Sequence, residues 1–391
     1  MLKSFCDRLG IAYNQALFPY YEKGLLLKRE KGLFVVDTER LNRLNNKYNI
    51  FRKWYKEVTQ ACAAISKDDD LILFIYILVV LIQEKASISS LLQMPDRQRL
   101  DTDMAPLFAF LYFLEEMISD YQGRGVPHEI ISDTLNGFDT EMNDYFDIYA
   151  RPGIRTYVEW FLLFARREIL RIGRFQFQIT TLNEHIRVYQ KNADIKIMMD
   201  GETMHTKGMV FGSKNQDDEE GRYYAEITEK NGAVSGYCAN EYGECVPKEI
   251  SLVGYKEILR RGDRVISVHI PSHAPLTKEM CDESYAKAWE VFATCYPEYD
   301  FKAFYCFSWM MDKRLRQIMG KDTNITLFAD KYTIFPTKDS GEDIYSFLYH
   351  LPEPVAAENL PEHSSMQRAV KQYLMQGNVL YTKSGIMLLD E

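Results

Sequence analysis

One change of rhythm constrains this chain more than anything else in it. Up to about residue 170 the apolar residues recur at spacings of three and four, and after Gly173 they alternate with polar ones. The first spacing puts apolar side chains on one face of a helix; the second puts them on one face of a strand. The spacing predicts helices over 41–65, 71–85, 103–121, 128–135, 142–149 and 156–170. It predicts strands over 175–179, 186–189, 195–199 and 223–228, and Asn231-Gly232 is a strong hairpin signal. A chain of 391 residues exceeds one ordinary core, so two domains are expected. Pro152-Gly153 ends the helical run, which gives a helical domain over 1–150 and a mixed α/β domain over 151–391. The fold class is α+β.

The stretch 71–83 (LILFIYILVVLIQ) is almost wholly apolar. As a helix it spans roughly 20 Å, short of the ~30 Å hydrocarbon core of a bilayer. Asp68, Asp69 and Asp70 precede it and suit a helix amino end, so a core helix buried on most sides is expected. The net charge of −9 argues against a nucleic-acid partner and against docking on anionic membranes. Seven cysteines are scattered without a framework, and the opening ten residues carry Lys3, Asp7 and Arg8 rather than a long apolar stretch. A reduced, cytoplasmic protein is expected. The dispersed histidines and the lack of HExxH or paired CxxC predict no metal site.

The later order is clearer. Strands are predicted over 265–270, 301–307 and 325–335, with helices over 277–294, 312–319, 344–348 and 365–376 and a final strand pair over 379–389. Gly262-Asp263 reads as the turn before the first of these strands, and Pro271 stops it. His269 therefore stands at the carboxyl end of a strand, just before a loop and a helix, where open α/β sheets put ligands.

Gly173-Arg174-Phe175-Gln176-Phe177, His269-Ile270-Pro271, Ser308-Trp309-Met310-Met311-Asp312, Asn324-Ile325 and Gln367-Arg368-Ala369 occur in that order. As an ordered set they resemble motifs of bacterial proteins described as acyltransferases. Those proteins have a helical N-acyltransferase-type amino-terminal domain and a GNAT-like carboxyl-terminal domain. The resemblance implies acyl transfer from an acyl-CoA-type thioester, the co-substrate, to an amine or similar small-molecule acceptor. Such chemistry needs a base for the acceptor's proton, an N–H donor for the tetrahedral oxyanion and a proton for the leaving thiolate.

His269 is the candidate base, since an ordinary imidazole titrates near ~6.5. Tyr305 and Ser308, at the end of the next strand, are candidate proton donors. Ile270, Ser272, His273 and Arg174 are candidates for holding the acyl-CoA. Each also has a plain structural reading: a histidine satisfied between sheet and helix, a helix cap, a solvated arginine. The resemblance departs at 271–277. A typical GNAT protein cradles the CoA pyrophosphate on a glycine-containing loop, whereas Pro271-Ser272-His273-Ala274-Pro275-Leu276-Thr277 has no glycine and two prolines without N–H groups. Glu279, Asp282 and Glu283 follow, and their charges oppose a phosphate. The alternative is a non-catalytic ligand-binding or interaction protein on the same scaffold. A third reading, a hydrolase using Cys306 with His269, requires those two side chains to meet.

Overall fold

In the first unit of the chain, Met1–Ile172, the long apolar run forms the helix Asp69–Gln83, and every residue from Leu71 to Ile82 is buried. Asp68 caps it by accepting from the Asp70 and Leu71 N–H groups at 3.1 and 3.0 Å. The helix Phe18–Lys31 crosses closely at Gly24, where a Cβ would stand 2.8 Å from Ile77 Cγ1. The computed structural model describes residues 1–96, 98–272 and 274–389. Among these, no helix is long and apolar enough to cross a membrane.

The apolar spacing suggests one helix over 41–65; the chain forms Thr38–Tyr48 and Tyr55–Ile65, because Asn49 turns left-handed (φ 51°) and ends the first. The division between units falls between Ile172 and Gly173, later than the expected Pro152. The reason lies in the packing of Val158–Ala165, whose Phe161 stacks on Phe138 at 4.9 Å. The predicted helix 156–170 stops at Ala165, and Ile169–Ile172 is a strand tied down by Tyr121 Oη donating to the Ile169 carbonyl at 3.0 Å.

In the second unit, Gly173–Glu391, five strands lie side by side in the order Phe175–Thr181, Arg264–His269, Phe301–Ser308, Lys383–Leu388 and Thr333–Phe335. The second and third run parallel and the other pairings are antiparallel, so the sheet is mixed. Alternation assigns the faces. Phe175, Phe177 and Phe304 meet Tyr285 of the helix Lys278–Cys295, and Phe177 also meets its Phe292. On the other face Val265, Ala303, Phe335 and Ile386 pack on Ile186, Val188, Ile197, Met199 and Leu259 of an antiparallel second sheet. Each large apolar side chain buried this way contributes about 1.5–3 kcal/mol.

Gly173 opens this unit in a left-handed turn (φ 60°), and a Cβ there would lie 2.5 Å from Ser284 Oγ. The backbone N–H of Arg174 donates to that same hydroxyl at 2.7 Å, so the turn is pinned to the helix. The Asn231-Gly232 hairpin forms between Thr228–Lys230 and Ala233–Cys238, both turn residues having positive φ. The strand expected over 325–335 is instead the helix Asn324–Ala329 followed by Thr333–Phe335. Thr323 caps that helix, accepting from Thr326 N–H at 3.4 Å, a polar start that favours a helix here. The expected final strand pair is the one strand Lys383–Leu388.

Candidate functional site

The two parallel strands at the centre of the sheet separate at their carboxyl ends. Cα partners run Arg264 with Phe301, Val265 with Ala303, Ile266 with Phe304 and Ser267 with Tyr305, and there they stop. Each strand keeps its outer neighbour for longer. Val268 and His269 pair with Phe177 and Gln176; Cys306, Phe307 and Ser308 pair with Gly385, Ser384 and Lys383. The facing edges past Ser267 and Tyr305 have no ladder partner in each other. Pro271 follows at once and cannot extend the ladder.

The face that packs on the second sheet becomes polar at this end. Gln176, Gln178, Ser267, His269, Tyr305 and Ser384 share it by alternation. His269 Nε2 lies 2.9 Å from Gln178 Oε1; with that oxygen accepting, Nε2 carries the proton and the lone pair is on Nδ1. Tyr305 Oη donates to the Glu184 carboxylate and lies 2.9 Å from Ser384 Oγ. Phe307, on the same face one step further along, is 47% exposed, so this end of the face is open. His269 and Ile270 are half-buried.

The His269 ring is shifted away from an ordinary imidazole. Its surroundings penalise the charged ring and pull its pKa down to about 4. That shift favours the neutral imidazole over the charged one. Burial first, then the Glu184 carboxylate, push the Tyr305 phenol well above its usual range. Glu184 and Ser384 stand in no motif. Only the loop after Thr181 and the crossing strand bring them to Tyr305.

The remaining candidates fall elsewhere. Ser308 alternates onto the helix side, and its hydroxyl accepts from Met310 N–H at 3.2 Å to cap the turn Trp309–Met311. Cys306 lies on that side too, fully buried, with burial driving its thiol pKa upward. His269 faces the other way, so the Cys306–His269 hydrolase does not assemble. Arg174 is spent on the loop: Nε donates to the Pro275 carbonyl at 2.8 Å and Nη2 to that of Ala274 at 3.0 Å. Ser272 is half-buried, and His273 lies outside the described residues. All seven cysteines are free, and no metal-ligand cluster occurs among the described residues.

At the start of the Lys278–Cys295 helix, Thr277 Oγ1 already accepts from Met280 N–H at 3.3 Å. Asp282 is held by Lys278 at 2.5 Å and by Lys331, so its charge is compensated. Asp312 accepts from Arg314 N–H at 3.1 Å but does more. It is fully buried and 3.4 Å from the equally buried Lys383 Nζ, with Arg314 Nη1 at 3.2 Å. This ion cluster fixes the loop next to Ser308 and the start of the last strand.

A family model of the GNAT-like C-terminal domain matches residues 169–387, and one of the N-acyltransferase N-terminal domain matches 39–166. No curated protein matches the sequence. Among solved structures, an acyltransferase in complex with decanoyl-CoA and teicoplanin is 16% identical with TM-score 0.64, covering 99% of each chain. An acyltransferase in complex with decanoyl-CoA is 17% identical with TM-score 0.58, covering 86% of this chain and 83% of that one. An acyltransferase mutant in complex with octanoyl-CoA is 16% identical with TM-score 0.62, covering 99% of both. At these identities the likeness is one of fold. Helical first part, mixed sheet and family match agree: the chain belongs to the family of the GNAT-like C-terminal domain, here preceded by an N-acyltransferase N-terminal domain.

Proposed function

We propose that this protein transfers an acyl group from an acyl-CoA-type thioester to an amine-bearing small molecule. The observation that carries the reading is the separation of the two central strands past Ser267 and Tyr305, with a polar face beside it. A pantetheine arm is narrow and has amide groups along its length, which suits the place where the two strands part past Ser267 and Tyr305. The structural neighbours described with decanoyl-CoA and octanoyl-CoA support this choice of donor.

Charge supports an amine as the acceptor. Glu184 is half-buried, its carboxylate bonds Tyr305, and among the described residues no lysine or arginine neutralises it. An acceptor ammonium supplies the missing countercharge. After loss of one proton towards Glu184, the amine nitrogen attacks the thioester carbon. The new C–N bond forms, the C–S bond breaks, the amide nitrogen gives up a second proton, and the thiolate takes up one to leave as the free thiol. Held together on one face, donor and acceptor gain much of the rate from orientation alone. His269, neutral and bonded to Gln178, orients rather than takes the proton.

The stretch 271–277 favours a second reading, ligand binding without transfer, because its prolines and the occupied Thr277 cap leave few N–H groups for a pyrophosphate. Calorimetry and thermal shift with acyl-CoAs of increasing chain length, followed by thiol release on adding amines, separate the two. Binding with thiol release is the expected result. Binding without release selects the second reading, and no heat or shift with any acyl-CoA rejects both.

A further inference from the structure

Resting on the acyl-transfer reading, we infer that the side-chain amide of Gln176 is the N–H donor for the thioester carbonyl oxygen. Gln176 is 2% exposed, and its Nε2 has no hydrogen-bond partner among the described residues. Leaving a buried amide N–H unpaired costs roughly 1–3 kcal/mol, so a persistent orphan donor signals a missing acceptor.

Its place in the sheet says which acceptor. Gln176 is the Cα partner of His269 in the antiparallel ladder, at the level where the two parallel strands have already parted. Directly opposite residues on one face have their Cβ atoms about 5 Å apart. Anything lying along the open end over His269 therefore comes within reach of this amide. Of the other polar groups there, Gln178 Oε1 is engaged with His269, and Tyr305 Oη with Glu184 and Ser384. An NH₂ group donates and does not accept, so it selects an oxygen carrying negative or partial negative charge and offers nothing to a cation.

A thioester carbonyl meets that need, and more so as the reaction proceeds. When the amine nitrogen attacks the carbonyl carbon, the π electrons move onto oxygen. The resulting oxyanion accepts from Nε2–H more strongly than the starting carbonyl did. When the C–S bond breaks, the electron pair returns to the C=O bond, and sulfur leaves with its own pair and is protonated. The gain is greatest in the transition state, which is where it accelerates transfer.

The test compares the full-length protein with Gln176→Met, which keeps the side-chain length and removes the N–H. With decanoyl-CoA and an amine that the wild type uses, the expected result is a fall in kcat of roughly 100- to 1,000-fold. The decanoyl-CoA dissociation constant stays within about threefold, since a transition-state contact contributes little to ground-state binding. A variant whose kcat stays within about threefold of wild type overturns the assignment while leaving acyl transfer standing. Isotope-edited infrared spectroscopy of wild type with carbonyl-¹³C decanoyl-CoA gives a readout independent of the variant's folding and of turnover. A carbonyl stretch below its value in solution supports the contact; an unshifted band overturns it. A wild type that binds no acyl-CoA removes both this assignment and the reading beneath it.

Discussion

His269 makes a measurable demand on stability. An ordinary imidazole titrates near 6.5, and this one is pulled down to about 4 by burial. The gap corresponds to about 3 kcal/mol of preference for the neutral ring in the folded state. Above pH 6.5 both folded and unfolded chains carry a neutral ring, and His269 leaves stability independent of pH. Below 6.5 the unfolded chain takes up a proton that the folded chain refuses until about pH 4. Stability then falls by up to about 1.4 kcal/mol per pH unit from this group alone, reaching about 2 kcal/mol at pH 5. His269→Gln removes the titration and preserves a partner for Gln178. Urea unfolding of both proteins at pH 7.5 and pH 5 isolates the term as a difference of differences, because every other group titrates in both. The variant is expected to lose about 2 kcal/mol less than wild type over that interval. A direct check is ¹³C NMR of histidine-labelled protein, in which the resonance missing from the variant should not move between pH 8 and 5. Equal pH slopes for the two proteins, or a His269 resonance titrating near 6.5, would refute the account of a desolvated neutral ring.

Gly173→Ala should destabilise the second unit by about 1–3 kcal/mol, read as a lower urea midpoint, because a side chain there meets both a positive φ and Ser284 Oγ. Ser284→Ala in the same chain should restore only part, since the backbone strain remains. Asp312→Ala should cost about 3–5 kcal/mol by leaving Lys383 buried without its countercharge, and adding Lys383→Met should recover most of that loss in the same unfolding assay. Equal stability of the single and double variants would show that the ion pair is not what holds the last strand in place.

Several features are legible in the sequence because they depend on local repetition or on one residue's own chemistry. The apolar run behind Asp68 is a buried helix because no other arrangement hides twelve consecutive apolar residues so near a capping aspartate. Phe175, Phe177 and Ile179 alternate with Gln176, Gln178 and Thr180 because the strand has a core on one side and polar company on the other. Where one local signal competes with another, the pattern misleads. The stretch 325–335 reads as a strand, and the Thr323 cap makes its first half a helix. Ser308 has the chemistry of a proton donor at a strand tip, and the pleat turns it to the opposite face from Tyr305.

The sequence alone determined the helical-then-mixed architecture and the position of His269 at a strand end, since periodicity and a following proline are properties of neighbours in the chain. Only the tertiary structure decided what those ends do. Whether two parallel strands stay paired depends on register against a third and a fourth strand. The neutrality of His269 depends on how much protein surrounds its ring. The company of Tyr305 depends on Glu184 and Ser384 arriving from 121 and 79 residues away. Burial and long-range pairing belong to the folded chain as a whole, which is why no window of sequence contains them.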